Sequence, residues 1–111
     1  MEKTIDRALV WLRRDLRVDD HAALYHALRS ARQVWCLFVF DRAILDPLRA
    51  AGQQADRRVE FIRDSLVGVD AELRALAASH GVDGAGLIVR HGTAVGEVVA
   101  VARALHVQAV S

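Results

Sequence analysis

The apolar run Ala8-Leu9-Val10-Trp11-Leu12 empties directly into Arg13-Arg14-Asp15-Leu16-Arg17, and Asp20-His21-Ala22-Ala23-Leu24 follows. A continuous run of apolar residues suits a strand covered on both faces, as in a parallel sheet. Strand one is therefore predicted over residues 7–12, with a charged loop over 13–20. The carboxylate of Asp20 can accept an orphan backbone N–H, which makes it the expected N-cap of helix one over 21–31. Leu24, Ala27, Leu28 and Ala31 would form the apolar face of that helix.

The pattern repeats downstream. Val34 to Phe40 is a second apolar run, rich in β-branched and aromatic residues, and it stops at Asp41. Segment 41–56 holds the single proline, Pro47, and is long for a strand-to-helix connection. Val59, Ile62, Leu66, Val69, Leu73 and Leu76 then fall on one stripe of a second helix. Gly81 is its expected C′ residue. Leu87-Ile88-Val89 is read as strand three, ending at Arg90-His91-Gly92. Thr93 caps a third helix whose face is Val95, Val98, Val99, Ala102 and Leu105, and 107–110 begin a fourth strand. Alternating strands and helices imply right-handed crossovers. The fold class is α/β, a doubly wound, Rossmann-like parallel sheet with helices on both faces, with three complete strands and the start of a fourth.

Composition narrows the function classes. The chain has 111 residues, enough for one domain, and a net charge of +1, so no global basic field points to nucleic acid. It lacks a membrane-length apolar segment and the apolar core of a signal peptide. The lone Cys36 lies inside an apolar run and is read as a buried, inert thiol. These features give a cytoplasmic reading with no membrane partner. The spacing of His21, His26, His80, His91 and His106 yields no metal site, and no nucleophile stands beside a positioned base. A Walker A run is absent, and Gly84-Ala85-Gly86 precedes a strand where the dinucleotide fingerprint follows one. Gly92 and Gly96 flank the start of helix three, where backbone N–H groups could hold an anion.

In an open α/β sheet, ligands bind outside the carboxyl ends of the strands. Three such ends converge here: 13–17, 41–45 and 90–92, with Arg58 at the start of helix two on the same edge.

Trp11 to Arg17 with Asp20 to Leu24 resembles the N-terminal signature of the DNA photolyase/cryptochrome family, with Leu12 where that family has Phe or His. Leu37-Phe38-Val39-Phe40-Asp41 with Ile44-Leu45, Asp56 to Phe61, and Gly92 are similar to later segments in the same order. The resemblance implies that residues 1–111 are an N-terminal antenna domain, truncated at the fourth strand. A C-terminal helical domain carrying FAD and contacting damaged DNA would be absent from it. The implied activity of the complete protein is that of a deoxyribodipyrimidine photolyase, a carbon–carbon lyase repairing pyrimidine dimers in light. The alternatives are a cryptochrome-type photoreceptor domain or a stand-alone nucleotide-binding module. The implied cofactor of this domain is a light-harvesting antenna, either a deazaflavin or methenyltetrahydrofolate. Carried onto this chain, the antenna contacts are Phe38, Asp41, Ile44, Leu45 and Arg58, with Arg13 and Arg14 as weaker candidates. No catalytic and no metal-binding residue is expected in this segment. The FAD domain would be the intramolecular partner, and the incomplete sheet edge leads us to expect self-association.

Overall fold

Leu9, Val10, Leu12 and Leu37 are fully buried, and they mark the centre of the molecule: two adjacent parallel strands covered on both faces. Burying side chains of this size contributes about 1.5–3 kcal/mol each, so this pair of strands anchors the domain. The computed structural model describes residues 4–13, 16, 21–41, 53–79 and 86–111. In chain order they form β1 (Ile5–Leu12), α1 (Ala22–Ser30), β2 (Ala31–Asp41), α2 (Gln53–Ser79), β3 (Leu87–Gly92), α3 (Ala94–Leu105) and β4 (Ala109–Val110). All pairings are parallel, in the order β3-β2-β1-β4.

Strand alternation sorts the core into two layers. Ala8, Val10, Leu12 and Cys36 face Leu24 and Ala27 of α1 and Val69 of α2, with Leu16 and Leu73 packed against them. Leu9, Leu37 and Val39, with Trp11 and Trp35, face Val98 and Val101 of α3. Helices thus cover both faces, as a doubly wound sheet requires. Cys36 lies within the first layer, and burial pushes its thiol pKa up to about 11, which keeps it protonated and inert.

Several boundaries differ from the sequence reading. The N-cap of α1 is His21, whose Nδ1 accepts the Leu24 N–H at 3.2 Å; Asp20, the expected cap, lies outside the described residues. β2 begins at Ala31, three residues early and directly after α1, so Ala31 packs as a strand residue and Leu28 is exposed. The inner face of α3 is also rotated from the expected one. Val95 and Val99 are 71% and 43% exposed, while Val98, Val101, Ala94, Ala102 and Leu105 pack inward. Thr93 is at the expected N-cap position but makes no side-chain capping bond. Gly81 and most of segment 41–56, including Pro47, lie outside the described residues.

Two polar clamps hold the sheet edges. Asp70 of α2 accepts the Leu87 N–H at 2.8 Å and the Arg74 Nε–H at 2.9 Å, fixing α2 to the start of β3. On the other side, Gln108 Oε1 accepts the Arg7 N–H at 2.8 Å, and Arg7 Nη1 donates to the Leu105 carbonyl at 3.1 Å. His106 turns the chain between α3 and β4 in the left-handed region, with φ 54° and ψ 47°.

Candidate functional site

The sheet order decides where a ligand can sit. β1, β2 and β3 are laid down in one direction, and β4 returns to the far side of β1. The strand order therefore reverses at β1/β4, and the crevice outside the carboxyl ends begins there. Trp11 marks that point. Its backbone N–H donates to the Ser111 carbonyl at 2.8 Å, and its indole carries the Arg13 guanidinium 4.0 Å above its ring. Arg13 is thus engaged in a cation–π contact on the α3 face. Arg14, with Asp15 and Arg17, lies outside the described residues.

The carboxyl ends of β2 and β3 form the other half of the edge. Leu12 pairs with Phe38, Phe38 with Val89, Phe40 with His91, and Asp41 with Gly92. Paired residues point to the same face, so Phe38, Phe40, Val89 and His91 share the α1/α2 side. Phe38 is 8% exposed and packs edge-on against Phe40, with centroids 5.0 Å apart and planes at 83°. Phe40 lies flat on His91, again at 5.0 Å but with planes at 12°. The row of rings runs from the buried interior to the exposed imidazole of the edge strand.

Asp41, three residues after Phe38, belongs by alternation to the opposite face, with Val39 and α3. The structure brings Phe38 and Asp41 to one strand end but aims them to different sides of the sheet. Ile44 and Leu45 lie outside the described residues. Arg58 is exposed on α2. It precedes Asp70 by about 18 Å of helix rise, and Asp70 is bonded to the first residue of β3. β3 itself rises about 17 Å from Leu87 to Gly92. Arg58 therefore comes level with the carboxyl edge, and the first turn of α2 projects beyond it.

The start of α3 is chemically different from an anion cradle. Gly92 is buried with φ +149°, and a Cβ there would come within 2.7 Å of Glu97 Oε1. A carboxylate thus lies beside the helix N-terminus, where it complements the positive end of the helix dipole. This placement disfavours a phosphate at the start of α3. Among the described residues no group of three or more His, Cys, Asp or Glu side chains could hold a metal, and no helix is long and apolar enough to cross a membrane.

Chemically, the edge offers ring faces and apolar walls on one side of the sheet, with carboxylates and arginines at its rim. Such a combination fits a planar, polar heteroaromatic ligand. No described constellation on the edge provides a nucleophile with a general base. His91 is the one histidine that the sequence puts at this edge, but its pairing with Phe40 is not legible there; only the register of β2 against β3 joins them.

Comparison with known proteins gives consistent matches. A family model described as DNA photolyase matches residues 8–111. A deoxyribodipyrimidine photo-lyase of Streptomyces griseus is 40% identical over 91 residues, 82% of this chain and 18% of that protein. A (6-4)DNA photolyase of Oryza sativa subsp. japonica is 38% identical over 82 residues, 68% of this chain and 15% of its own length. Cryptochrome-2 of Gallus gallus is 39% identical over 71 residues, 63% of this chain and 11% of its own. The chain spans less than a fifth of the length of these relatives.

Proposed function

This chain belongs to the DNA photolyase family, and from that premise we propose that the carboxyl edge of its sheet holds a light-harvesting antenna chromophore. The observation that carries the reading is the coincidence of the two arguments. The family match spans the sheet, and the edge of that sheet gathers Phe38, Phe40 and His91 on one face with Asp41 and Arg58 at the rim. When bound, the antenna supplies absorption of near-ultraviolet or blue light and passes the excitation on. The chain's own residues would hold and orient it: Phe38 as the buried support of the aromatic wall, Arg58 as a cation for a polar edge, and Asp41 as an acceptor on the α3 side. Ile44 and Leu45 remain candidates from the resemblance alone.

In the complete protein we place the chemistry elsewhere. A helical domain with FAD would receive the excitation and return a pyrimidine dimer in damaged DNA to its two bases. This segment contributes no catalytic residue to that reaction, so the 111-residue chain alone should leave dimers intact. The antenna is a deazaflavin or methenyltetrahydrofolate. The test is a fluorescence titration of the purified chain with each compound separately. Saturable binding of one supports the reading, and no binding of either at solubility-limited concentration overturns it. A photoreceptor role is the second reading, favoured by the match to Cryptochrome-2 at 39% identity, between the 38% and 40% of the two photolyases. Light-dependent loss of dimers from DNA treated with the full-length protein decides for repair.

A further inference from the structure

The ring contacts between β2 and β3 are absorbed neither by the charged loop after β1 nor by the residues carried over from the family motifs. We propose that the Phe40–His91 stack is a platform for the planar ring of the ligand, and that His91 determines how tightly that ring is held. This rests on the antenna-binding reading above.

Phe40 and His91 are cross-strand partners, and their rings are parallel to within 12° at a centroid distance of 5.0 Å. That distance is close to the roughly 4.8 Å between neighbouring strands. The stack therefore advances by one strand toward the edge. β3 is the edge strand of the described sheet. One imidazole face is covered by Phe40, which leaves the other as the outer face of a residue that is exposed on this edge strand. A planar ring laid on that outer face would extend the row by one more step, where another strand would otherwise lie.

Position supports the same use. Phe40 and His91 are each the second-to-last residue of their strands, so the stack lies at the carboxyl edge. Its inner end is braced by Phe38, whose ring meets Phe40 edge-on. A braced platform loses little entropy when a ligand stacks on it. Arg58, level with the edge on the neighbouring helix, offers a cation to a polar substituent of the same ring. The competing explanation is that the two rings merely join β2 to β3, as cross-strand aromatic pairs do. That role would change stability and leave ligand affinity alone.

Two substitutions and one resonance separate these. His91→Ala removes the platform, and His91→Phe keeps a flat ring of similar width. The 111-residue chain and both variants are titrated with a deazaflavin and with methenyltetrahydrofolate, following ligand fluorescence. Whichever compound the unaltered chain binds should bind His91→Ala about three- to tenfold more weakly, and His91→Phe within about twofold. In the unaltered chain with carbon-13-labelled histidine, the His91 Cε1–H resonance should move upfield on ligand addition, through the ring current of the stacked ligand. Equal affinity of His91→Ala, or a His91 resonance that stays in place at saturation, overturns the proposal while leaving the antenna reading intact. Failure of the unaltered chain to bind either compound overturns the antenna reading, and the platform with it. Should His91→Ala fail to fold, His91→Phe and the resonance decide.

Discussion

Replacing Asp70 by Ala should loosen α2 from the sheet, and the size of the effect follows from its two bonds. Oδ1 accepts the Leu87 N–H at 2.8 Å, and Oδ2 accepts Arg74 Nε–H at 2.9 Å. A hydrogen bond to a charged group contributes about 1.5–3 kcal/mol. Asp70 is 34% exposed, so solvent screening moves the value to the low end. The exposed pair with Arg74 adds about 0.5 kcal/mol or less. Ala recovers about 0.5 kcal/mol of helix propensity over Asp. The net expectation for Asp70→Ala is a loss of about 1–2 kcal/mol. Asp70→Asn keeps an acceptor for Leu87 and should lose about half of that, while Arg74→Ala should lose about 0.5 kcal/mol or less. The bonds to Leu87 and Arg74 hold the Asp70 carboxyl pKa below its ordinary value of 3.8. A depressed carboxylate stabilises the fold above its unfolded pKa and loses that stabilisation as pH falls through the folded value. The difference between the unaltered chain and Asp70→Asn should therefore be full at neutral pH and shrink below about pH 4. Urea unfolding followed by circular dichroism at several pH values measures all of this. The reasoning is refuted if Arg74→Ala costs as much as Asp70→Ala, or if the Asp70→Asn difference is the same in acid as at neutral pH.

Three further outcomes are expected. Gly92→Ala should destabilise by about 1–3 kcal/mol in the same assay, because the residue has φ +149° and its Cβ would meet Glu97 Oε1 at 2.7 Å. His106→Gly should stabilise by about 0.5–1 kcal/mol, since the left-handed turn after α3 costs a side-chain-bearing residue more than glycine; an unchanged or lowered midpoint would contradict this. Arg58→Ala in a full-length protein should weaken antenna binding about tenfold or more and leave FAD content unchanged, read as antenna absorbance per mole of FAD. An unaltered ratio removes Arg58 from the site.

Much of the fold could be read from the chain because its strands are fully covered. Val34 to Phe40 and Ala8 to Leu12 are apolar on both sides, and the stripe from Val59 to Leu76 has a polar background against which its period stands out. α3 illustrates the opposite case. Only Glu97 and Arg103 are charged among its twelve residues, so the apolar face has no defined phase in the sequence, and Val95 and Val99 face out although their spacing suits the inner face. The start of β2 was misplaced because Arg32 and Gln33 are polar, yet they lie on the exposed beginning of a paired strand. His21 escaped notice as a cap because Asp20 beside it is the stronger capping residue by chemistry. At the site, Asp41 and Arg58 could be placed on one edge from the strand and helix ends alone, whereas Phe38 entered through the family resemblance. The split of Phe38 and Asp41 to opposite faces follows from the strand continuing through Asp41. The Phe40–His91 contact and the Asp70–Leu87 clamp each join segments that only the tertiary structure aligns.

The central claim is that the carboxyl edge of this sheet receives a planar chromophore. A crystal structure of the chain, or of the full-length protein, with its antenna bound tests it most directly. Ligand density is expected at the ends of β2 and β3, within contact distance of the Phe40–His91 pair and near Arg58. Density at the amino ends of the strands, or on the outer face of α3, would contradict it.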